Sequence, residues 1–307
     1  MKYFHPKKYL RLLRECLYKF FWFYLVPDKW EITYRFYKYV GYKPNLKCPK
    51  TFNEKIQWLK LHDRNNLYPN LIDKCKVKSI VAKLIGEEYV IPTIFGPYDS
   101  ANEIPWNELP NKFVLKCNHD AASVIICKDK EKLNIANAIE KLNKCLKNNY
   151  YHDEGKQWGY KNITPKVFVE KYMEDEGGED LVDYKFMFFN GECKCIFTCL
   201  ERRTKTGLKV NFYTPQWEML PFTRKYPNAA PEKEPNELED LLHVAQELAN
   251  HVSASFVRID LYVIKGRIYF GEYTFYPGGG FEPFQPIEWD YTLGSWIDLN
   301  VEKKSFK

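Results

Sequence analysis

The sequence predicts an α+β protein in which antiparallel β-hairpins and amphipathic helices follow one another. The first observation is a hairpin signal at residues 183–197, where two apolar strands flank Asn190-Gly191. The second is the apolar spacing of residues 234–252, which is typical of an amphipathic helix. This helix leads into a second hairpin at residues 256–280. Consecutive strands joined by short turns pair antiparallel, and this pattern favours an α+β architecture.

Residues 1–28 form a basic and aromatic segment whose apolar positions follow helical spacing. Those positions are Leu10, Leu13, Leu17, Phe20, Phe21 and Tyr24. The apolar run is well short of the roughly 20 residues that a helix needs to cross a bilayer. Two interpretations stay open: the helix makes a peripheral contact with an anionic membrane surface, or it docks on its own domain.

The composition is that of a globular chain. The 307 residues are 45% hydrophobic and 28% charged, which is enough core material for two domains or for one large domain with an insertion. A net charge of +6 is spread along the chain, so it favours an anionic partner and gives little support to nucleic-acid binding. Nine cysteines show no pairing pattern, and no secretory signal or membrane span is visible, so we expect a reduced, cytoplasmic protein.

The middle of the chain places a lysine beside a loop of small residues. We predict a helix at 73–84 with a short strand after it, and then a strand, a loop and a second strand at 111–130. Lys116 ends the first strand of this second unit. It could reach a phosphate that the loop amides cradle, or it could be an ordinary solvated lysine at a strand end.

A helical segment at 130–148 precedes an apolar strand that runs into Glu170 and Lys171. In the hairpin that follows, Asp183 and Lys185 share one face of the first strand, because side chains alternate along a strand. This strand therefore carries an acid and a base side by side.

The hairpin at 256–280 carries Asp260 and Glu272 inside otherwise apolar, aromatic strands. Asp is among the residues that strands most exclude, so a buried acid there needs a partner. A two-residue turn would set Ile264 opposite Arg267 and point the two acids to opposite faces of the sheet. A three-residue turn would set the two acids directly opposite each other, about 5 Å apart.

Two opposed acids repel each other unless a cation or a shared proton holds them. A hard divalent cation such as Mg²⁺ fits this pair, because it takes oxygen ligands from one or two carboxylates and leaves positions for substrate phosphates. An ordinary hairpin whose acids are salt-bridged to Arg258 fits the local pattern equally well. The sequence has neither a G-x-x-x-x-G-K-S/T loop nor a G-x-G-x-x-G loop, so P-loop and Rossmann nucleotide binding are disfavoured.

Six segments of the sequence form a specific ordered set. They are "TFNEKIQWLKLHDR", "LIDK", "IGEEYVIP", "FVLK", "FVEKYM" and "VRIDLYVIKGRIYFGEYTFYPGGG". Together they resemble the TupA-like ATP-grasp family of bacterial surface-polysaccharide loci, and the likeness covers about residues 51–299. The resemblance implies an ATP-grasp fold of class α+β, with a nucleotide held between two α+β lobes.

We expect four regions along the chain, and the resemblance implies two cofactors. The regions are the amphipathic helix at 1–28, a helical and α/β region at 29–110, a lobe with phosphate flap and hinge at 111–185, and a lobe with the metal hairpin at 186–307. The cofactors are ATP and Mg²⁺.

Residue roles follow from the same resemblance. The implied nucleotide-binding residues are Lys74 and Lys116 at the phosphates, Ser123 in the flap, Glu170, Lys171 and Met173 at the adenine hinge, and Asp183 at the ribose with Glu174 as second choice. Asp260 and Glu272 match the metal-binding acids, and Thr274 stands where many ATP-grasp enzymes have Asn. Arg258 would stabilise the transferred phosphate or an acyl-phosphate oxyanion, and Lys185 is the second implied catalytic residue.

The flap departs from the family pattern. It is usually glycine-rich, whereas this chain reads Asp120-Ala121-Ala122-Ser123. Alanine restricts the backbone angles that let amides converge on a phosphate. A slower enzyme and a protein that binds nucleotide without turnover therefore stay open. His119 is expected to be a structural hydrogen-bonding residue of this flap.

The implied reaction is a carboxylate–amine ligation in which ATP phosphorylates a carboxylate and an amine attacks the acyl phosphate. The implied partners are small-molecule or glycan carboxylate and amine substrates, such as a uronic acid and an amino acid or amino sugar. Two alternatives stay open: a glycosyltransferase-like enzyme of the same polysaccharide pathway, or a non-catalytic nucleotide-binding protein. Arg202, Arg203 and Arg224 could bind an anionic acceptor, or they could form a solvated basic surface.

Overall fold

The computed structural model describes residues 21–121, 123–174, 182–201 and 207–299, together with Leu17. Most of the predicted helix at 1–28 lies outside the described residues, as do Ala122, Arg202 and Arg203.

The helices and strands alternate along the chain. The helices are a π-helix at Phe21–Leu25, then α1 (Asp28–Val40), α2 (Phe52–His62), α3 (Tyr68–Ile72), α4 (Lys76–Ile85), α5 (Ile135–Cys145), α6 (Tyr150–Asp153), α7 (Leu238–Asn250) and α8 (Glu288–Ser295). The strands are β1 (Thr93–Tyr98), β2 (Phe113–Cys117), β3 (Ile125–Cys127), β4 (Val167–Lys171), β5 (Asp183–Phe189), β6 (Glu192–Leu200), β7 (Lys209–Tyr213), β8 (Thr223–Arg224), β9 (Phe256–Ile264), β10 (Arg267–Thr274) and β11 (Phe284–Gln285).

Strands β1 to β4 form an antiparallel sheet in the order β1-β4-β2-β3. Phe113 and Leu115 of β2 are buried in a core that includes Leu142 of α5 and Val169 of β4. Side chains alternate along β2, so Lys116 points to the face opposite this core. The predicted strand, loop and strand at 111–130 is confirmed.

The second sheet is antiparallel in the order β10-β9-β5-β6-β7. Its core contains Phe186 of β5 and Ile259 of β9, together with Leu241 of α7. Helices α2, α3 and α4 pack into the same core, as Phe52 and Val81 show. The apolar faces of helices α2 to α4 therefore pack on the five-stranded sheet, whose strands come later in the chain.

The two sheets divide the chain differently from the predicted regions. Within the predicted region 29–110, helices α2 to α4 pack on the five-stranded sheet, whereas β1 belongs to the four-stranded sheet. The predicted boundary at residue 185 falls inside β5. A helix buries its apolar face on whichever sheet surface is available, and sequence order does not show which surface that is.

The turn of the β9–β10 hairpin is Lys265-Gly266, so that Ile264 pairs with Arg267. Both turn residues have positive φ, 53° and 69°, which is typical of a two-residue hairpin turn. This is the turn length that would point the two acids to opposite faces in a regular ladder.

A β-bulge between Phe270 and Glu272 reverses that outcome. The extra residue in β10 shifts the register by one, and Asp260 pairs with Glu272. The residue at the bulge is Gly271, where a Cβ atom would lie 2.9 Å from the carbonyl oxygen of Asp260. The predicted link between a two-residue turn and separated acids was wrong because it assumed a ladder without a bulge.

The helix predicted at 73–84 begins later, at Lys76. Just before it, the Asp73 side chain accepts hydrogen bonds from the backbone N–H groups of Cys75 (2.9 Å) and Lys76 (3.2 Å). The short strand predicted after this helix is a 3₁₀ turn, and β1 starts only at Thr93. Gly86, with φ of 120°, turns the chain out of the helix. The predicted helices at 130–148 and 234–252 correspond to α5 and α7.

None of the helices in the described ranges is long and apolar enough to span a bilayer. The cysteines of these ranges are free thiols, as expected from their spacing.

Candidate active site

A cavity of about 460 Å³ lies between the two sheets. Most of the predicted site residues line it: Lys74, Lys116, Glu170, Lys171, Met173, Asp183, Lys185, Asp260 and Glu272. Ser123, Arg258 and Thr274 lie outside its wall. The cavity has an apolar end near the hinge strand β4 and a charged end on β5, β9 and β10.

Glu170 ends the apolar wall of the cavity, and two lysines hold its carboxylate. One oxygen lies 2.5 Å from Nζ of Lys116 and the other lies 2.6 Å from Nζ of Lys78. Burial by itself raises the pKa of Glu170, but the two lysines outweigh it and bring that pKa below its usual value. The Glu170 side chain is 7% exposed, so this is a buried carboxylate that stays charged.

Lys78 is a site residue that the sequence analysis missed. Its ammonium also donates to the carbonyl oxygen of Ile91 (2.8 Å) and to the hydroxyl of Thr93 (2.9 Å). Burial lowers the pKa of Lys78, while Glu170 raises it. The one available signal was the four-residue spacing from Lys74, which a helix covering both positions would place on one face.

Lys171 and Met173, the residues of the predicted hinge, line the cavity. The backbone N–H of Lys171 donates to the carbonyl oxygen of Pro92 at 3.0 Å, so from its main chain only the carbonyl can serve a base edge. Glu174, the second choice for the ribose, pairs with Lys112 at 2.9 Å and lies outside the cavity wall. Asp183 does line the wall, which favours it over Glu174.

Asp260 lies at the charged end and is held by two cations. The guanidinium of Arg258 donates to both of its oxygens, from Nε at 2.6 Å and from Nη2 at 2.7 Å. Lys185 also pairs with Asp260, and it pairs with Asp183 at 2.6 Å. Burial raises the pKa of Asp260, and the neighbouring acids Asp183 and Glu272 add to this, against Arg258 and Lys185.

Glu272 completes this cluster from β10. Nη2 of Arg258 donates to it at 2.9 Å, and Nζ of Lys74 lies 3.7 Å from its other oxygen. Burial by itself raises the pKa of Glu272, but Lys74, Arg258 and Lys185 outweigh it and lower that pKa to about 2. Arg258 thus bridges both acids, which is the salt-bridged arrangement that the sequence analysis left open.

The donor chemistry of the pair also fits a magnesium ion. Asp260 and Glu272 offer hard carboxylate oxygens, and the hydroxyl of Thr274 lies 3.1 Å from the Glu272 carboxylate. Within the described residues, no group of three His, Cys, Asp or Glu side chains is arranged to hold a metal alone. A cation at this hairpin would therefore share its coordination with a bound ligand, as Mg²⁺ does with phosphates.

The flap loop is closed by its own side chains. The hydroxyl of Ser123 donates to Asp120 at 2.5 Å and accepts from the backbone N–H of Cys117 at 2.7 Å. Ser123 is 1% exposed, so its predicted contact with a cofactor is corrected to a role inside the loop. Lys74 donates to the carbonyl oxygen of Asp120 at 2.6 Å and so ties the flap to the charged end.

Two other basic or flap residues are also buried. His119 is 3% exposed and lies outside the cavity wall. Arg224 is 5% exposed, and its Nη2 donates to the carbonyl oxygen of Pro277 at 2.7 Å. Its Nε lies 3.6 Å from the carboxylate of Glu282. Arg224 therefore belongs neither to a solvated basic surface nor to an open anion-binding site. Instead it hydrogen-bonds the backbone at Pro277.

The TupA-like ATPgrasp family matches residues 54–298. The chain belongs to this family. The match covers most of the chain and confirms the predicted resemblance. Two antiparallel sheets with a cavity between them agree with the ATP-grasp fold of class α+β that the family implies. No curated protein matches the chain of this TupA-like protein.

Solved structures similar to the TupA-like protein include amino-acid ligases. D-alanine–D-alanine ligase from Bacillus anthracis, complexed with ATP, is 15% identical over 67% of this chain and 55% of that one, with a TM-score of 0.38. The Helicobacter pylori enzyme is 15% identical over 78% and 68%, with a TM-score of 0.40. L-amino acid ligase from Bacillus licheniformis is 13% identical over 74% and 49%, with a TM-score of 0.43. The chain thus spans about half the length of the first and third of these proteins.

Proposed function

We propose that this TupA-like protein is an ATP- and magnesium-dependent carboxylate–amine ligase that works through an acyl phosphate. The observation that supports this most is the pairing of Asp260 with Glu272 at the charged end of the cavity, beside Lys185 and Arg258. Membership of an ATP-grasp family supports ATP as the phosphate donor.

The nucleotide base would lie at the apolar end. The apolar side chains of the cavity wall include Val77, Val90, Ile91, Val114, Ile126 and Phe270. The carbonyl of Lys171 and the backbone of Met173 would face the base edge, and Asp183 would face the ribose. Lys116 lies 2.5 Å from Glu170, and a phosphate could replace part of this contact.

The phosphates would lie over β9 and β10. Mg²⁺ bound by Asp260, Glu272 and the Thr274 hydroxyl would neutralise negative charge on the phosphates during transfer. Lys74 lies between the flap and Glu272, so it can hold the flap closed over a phosphate. Arg258 and Lys185 are the cations placed to stabilise a phosphoryl or acyl-phosphate oxygen.

The proposed chemistry has two steps. A substrate carboxylate oxygen attacks the γ-phosphorus of ATP, and ADP leaves. An amine then attacks the acyl carbon, the C–N bond forms, the C–O bond to phosphate breaks and the amine loses a proton. Resemblance to proteins of surface-polysaccharide loci supports a glycan carboxylate such as a uronic acid as the first substrate, and use of ATP supports a cytoplasmic location.

A second candidate function rests on the flap. The Ser123 and Asp120 side chains lock a loop that has alanine where glycine is usual, and this favours a protein that binds nucleotide with slow turnover or none. Both candidates require the same nucleotide site, and turnover separates them.

Calorimetric titration of ATP with and without Mg²⁺ tests the site. We expect magnesium-dependent binding to the wild type, and at least tenfold weaker binding to Lys116→Met because the variant loses a cation at a phosphate. Lys132→Met is the matched control, since that lysine is 85% exposed on the same lobe. Release of ADP in a screen of uronic acids with amines would support the ligase, and magnesium-dependent binding without release would support the second candidate. No binding to the wild type would contradict both.

A further inference from the structure

The outward face of α1 is aromatic. Trp30, Tyr34 and Tyr37 are 71%, 50% and 62% exposed. Their spacing of four and three residues places them in one stripe along the helix. A contiguous exposed apolar stripe is unusual on a protein surface that has no binding partner.

The opposite face of α1 is firmly attached to the protein. Ile32 and Phe36 are fully buried. The guanidinium of Arg35 lies 2.9 Å from Glu31 and donates to the carbonyl oxygen of Asp153 at 2.8 Å. The helix therefore has a fixed orientation, and its aromatic stripe points outward because the other face is committed to the core.

The preceding π-helix extends the stripe. Phe21 is 52% exposed and Leu25 is 61% exposed. The ring of Trp22 lies 5.4 Å from the ring of Tyr34, centroid to centroid, which joins the two segments. We call the exposed residues of both segments, namely Phe21, Leu25, Trp30, Tyr34 and Tyr37, the aromatic face.

The charge around the aromatic face is positive. The exposed lysines between residues 21 and 50 are Lys29, Lys38, Lys43, Lys47 and Lys50. Of the two acids of this segment, Glu31 is buried and lies 3.1 Å from Lys156, whereas Asp28 is 37% exposed and lies 3.5 Å from Lys156. The exposed side chains of residues 21–50 therefore carry a net positive charge from the lysines.

We propose that residues 21–50 dock on an anionic lipid surface, with the aromatic face against the headgroup region. Trp and Tyr are the residues that favour this interface, and nearby lysines gain from a negative surface potential. Pairing with a second copy is disfavoured, because it would bring two such lysine groups together. The proposal extends the membrane contact predicted for residues 1–28 to described residues, and it is independent of the proposed enzymatic function.

Co-sedimentation with vesicles tests the proposal on the full chain without nucleotide. We expect binding to vesicles that contain phosphatidylglycerol to exceed binding to pure phosphatidylcholine by about tenfold. The variant Trp30→Ser/Tyr34→Ser/Tyr37→Ser should lose about tenfold or more of the binding to anionic vesicles. The control variant Leu84→Ser removes a side chain that is 40% exposed on α4, and it should bind like the wild type.

A second variant, Lys38→Glu/Lys43→Glu/Lys47→Glu, should also lose binding to anionic vesicles by about fivefold or more and gain no binding to neutral ones. Circular dichroism and the thermal midpoint confirm that each variant is folded. Equal binding of the wild type to both vesicle types, no binding at all, or unchanged binding by the aromatic variant would each overturn the proposal. Light scattering that shows a dimer dispersed by the aromatic variant, with no vesicle binding, would assign the face to a second copy instead.

Discussion

The two ends of the cavity both hold a buried carboxylate between cations, but their charges balance differently. At the hinge end, Glu170 faces two lysines, Lys78 and Lys116. At the β9–β10 end, Asp260 shares its surroundings with two further acids, Asp183 and Glu272, and with Lys74, Lys185 and Arg258. One acid meets two cations at the first end, whereas three acids meet three cations at the second.

The pKa values follow this difference. Burial favours protonation of both carboxylates, but the two lysines outweigh it at Glu170 and lower that pKa, whereas the crowded acids help to raise the pKa of Asp260. At the hinge end the cations therefore outnumber the acid, whereas at the β9–β10 end there is only one cation for each of the three acids, which also repel one another. The β9–β10 end would gain from a further cation, which is the property expected of a magnesium site.

The largest effect should come from Asp260→Asn. Loss of this carboxylate removes a metal ligand and the partner of Arg258, so we expect ADP release to fall on the order of a thousandfold. The comparison is with Asp240→Asn, an exposed position on α7 that should leave the rate unchanged. A rate of ADP release within tenfold of the wild type would show that the charged end does not carry the chemistry.

For the free energy of unfolding, we expect a larger effect from a substitution at the hinge end than from one at the β9–β10 end. Glu170→Gln leaves Lys78 and Lys116 without their shared counter-charge, and we expect the free energy of unfolding to fall by about 3 kcal/mol. Asp260→Asn should lower it less, because Asp183 and Glu272 remain beside Lys185 and Arg258. Urea denaturation of both variants measures this difference, and equal losses would contradict the contrast in charge balance.

Lys78→Met should weaken ATP binding by about fivefold to tenfold, because Glu170 would keep only Lys116 and hold it more tightly away from the nucleotide. Lys83→Met is the matched control, since Lys83 is exposed on the same helix. Calorimetry of both variants at one magnesium concentration measures the change. Equal affinities would show that Lys78 has a structural role alone.

Glu272 should also contribute to the pH dependence of stability. Its pKa is lowered from 4.5 to about 2, so its contribution to stability is present above about pH 4.5 and is lost as the pH falls toward 2. The free energy of unfolding of Glu272→Gln should therefore change less steeply than that of the wild type between about pH 5 and pH 2. Parallel curves for the two proteins would contradict the lowered pKa.

The sequence predicted the fold class, and most of the residues that it proposed for the site line the cavity. The strand and loop pattern at 111–130 placed Lys116 beside a loop of small residues, and the exclusion of Asp from strands indicated that Asp260 needs a partner. These are local rules, and they hold wherever a strand buries one face. The ordered set of motifs resembles an ATP-grasp family, and the family match confirmed this resemblance.

The remaining site residues depend on contacts between segments that are distant along the chain. Lys78 of α4 pairs with Glu170 of β4, although three strands and two α-helices separate them along the chain. Ser123 hydrogen-bonds within its own loop, although its position suggested a ligand contact. The guanidinium carbon of Arg224 lies in the core, 5.5 Å from the ring centroid of Phe52 and 5.3 Å from that of Phe284. Periodicity carries no information about such pairings.

The sequence by itself determined that this protein has hairpins, that two acids lie in one of them and that these acids need cations. Only the tertiary structure decided that the acids face each other, because a bulge at Gly271 corrected the register of a two-residue turn. The tertiary structure also decided which cation pairs with which acid. Side-chain alternation is a property of each strand alone, whereas register and ion pairing arise when strands and helices from the whole chain pack together.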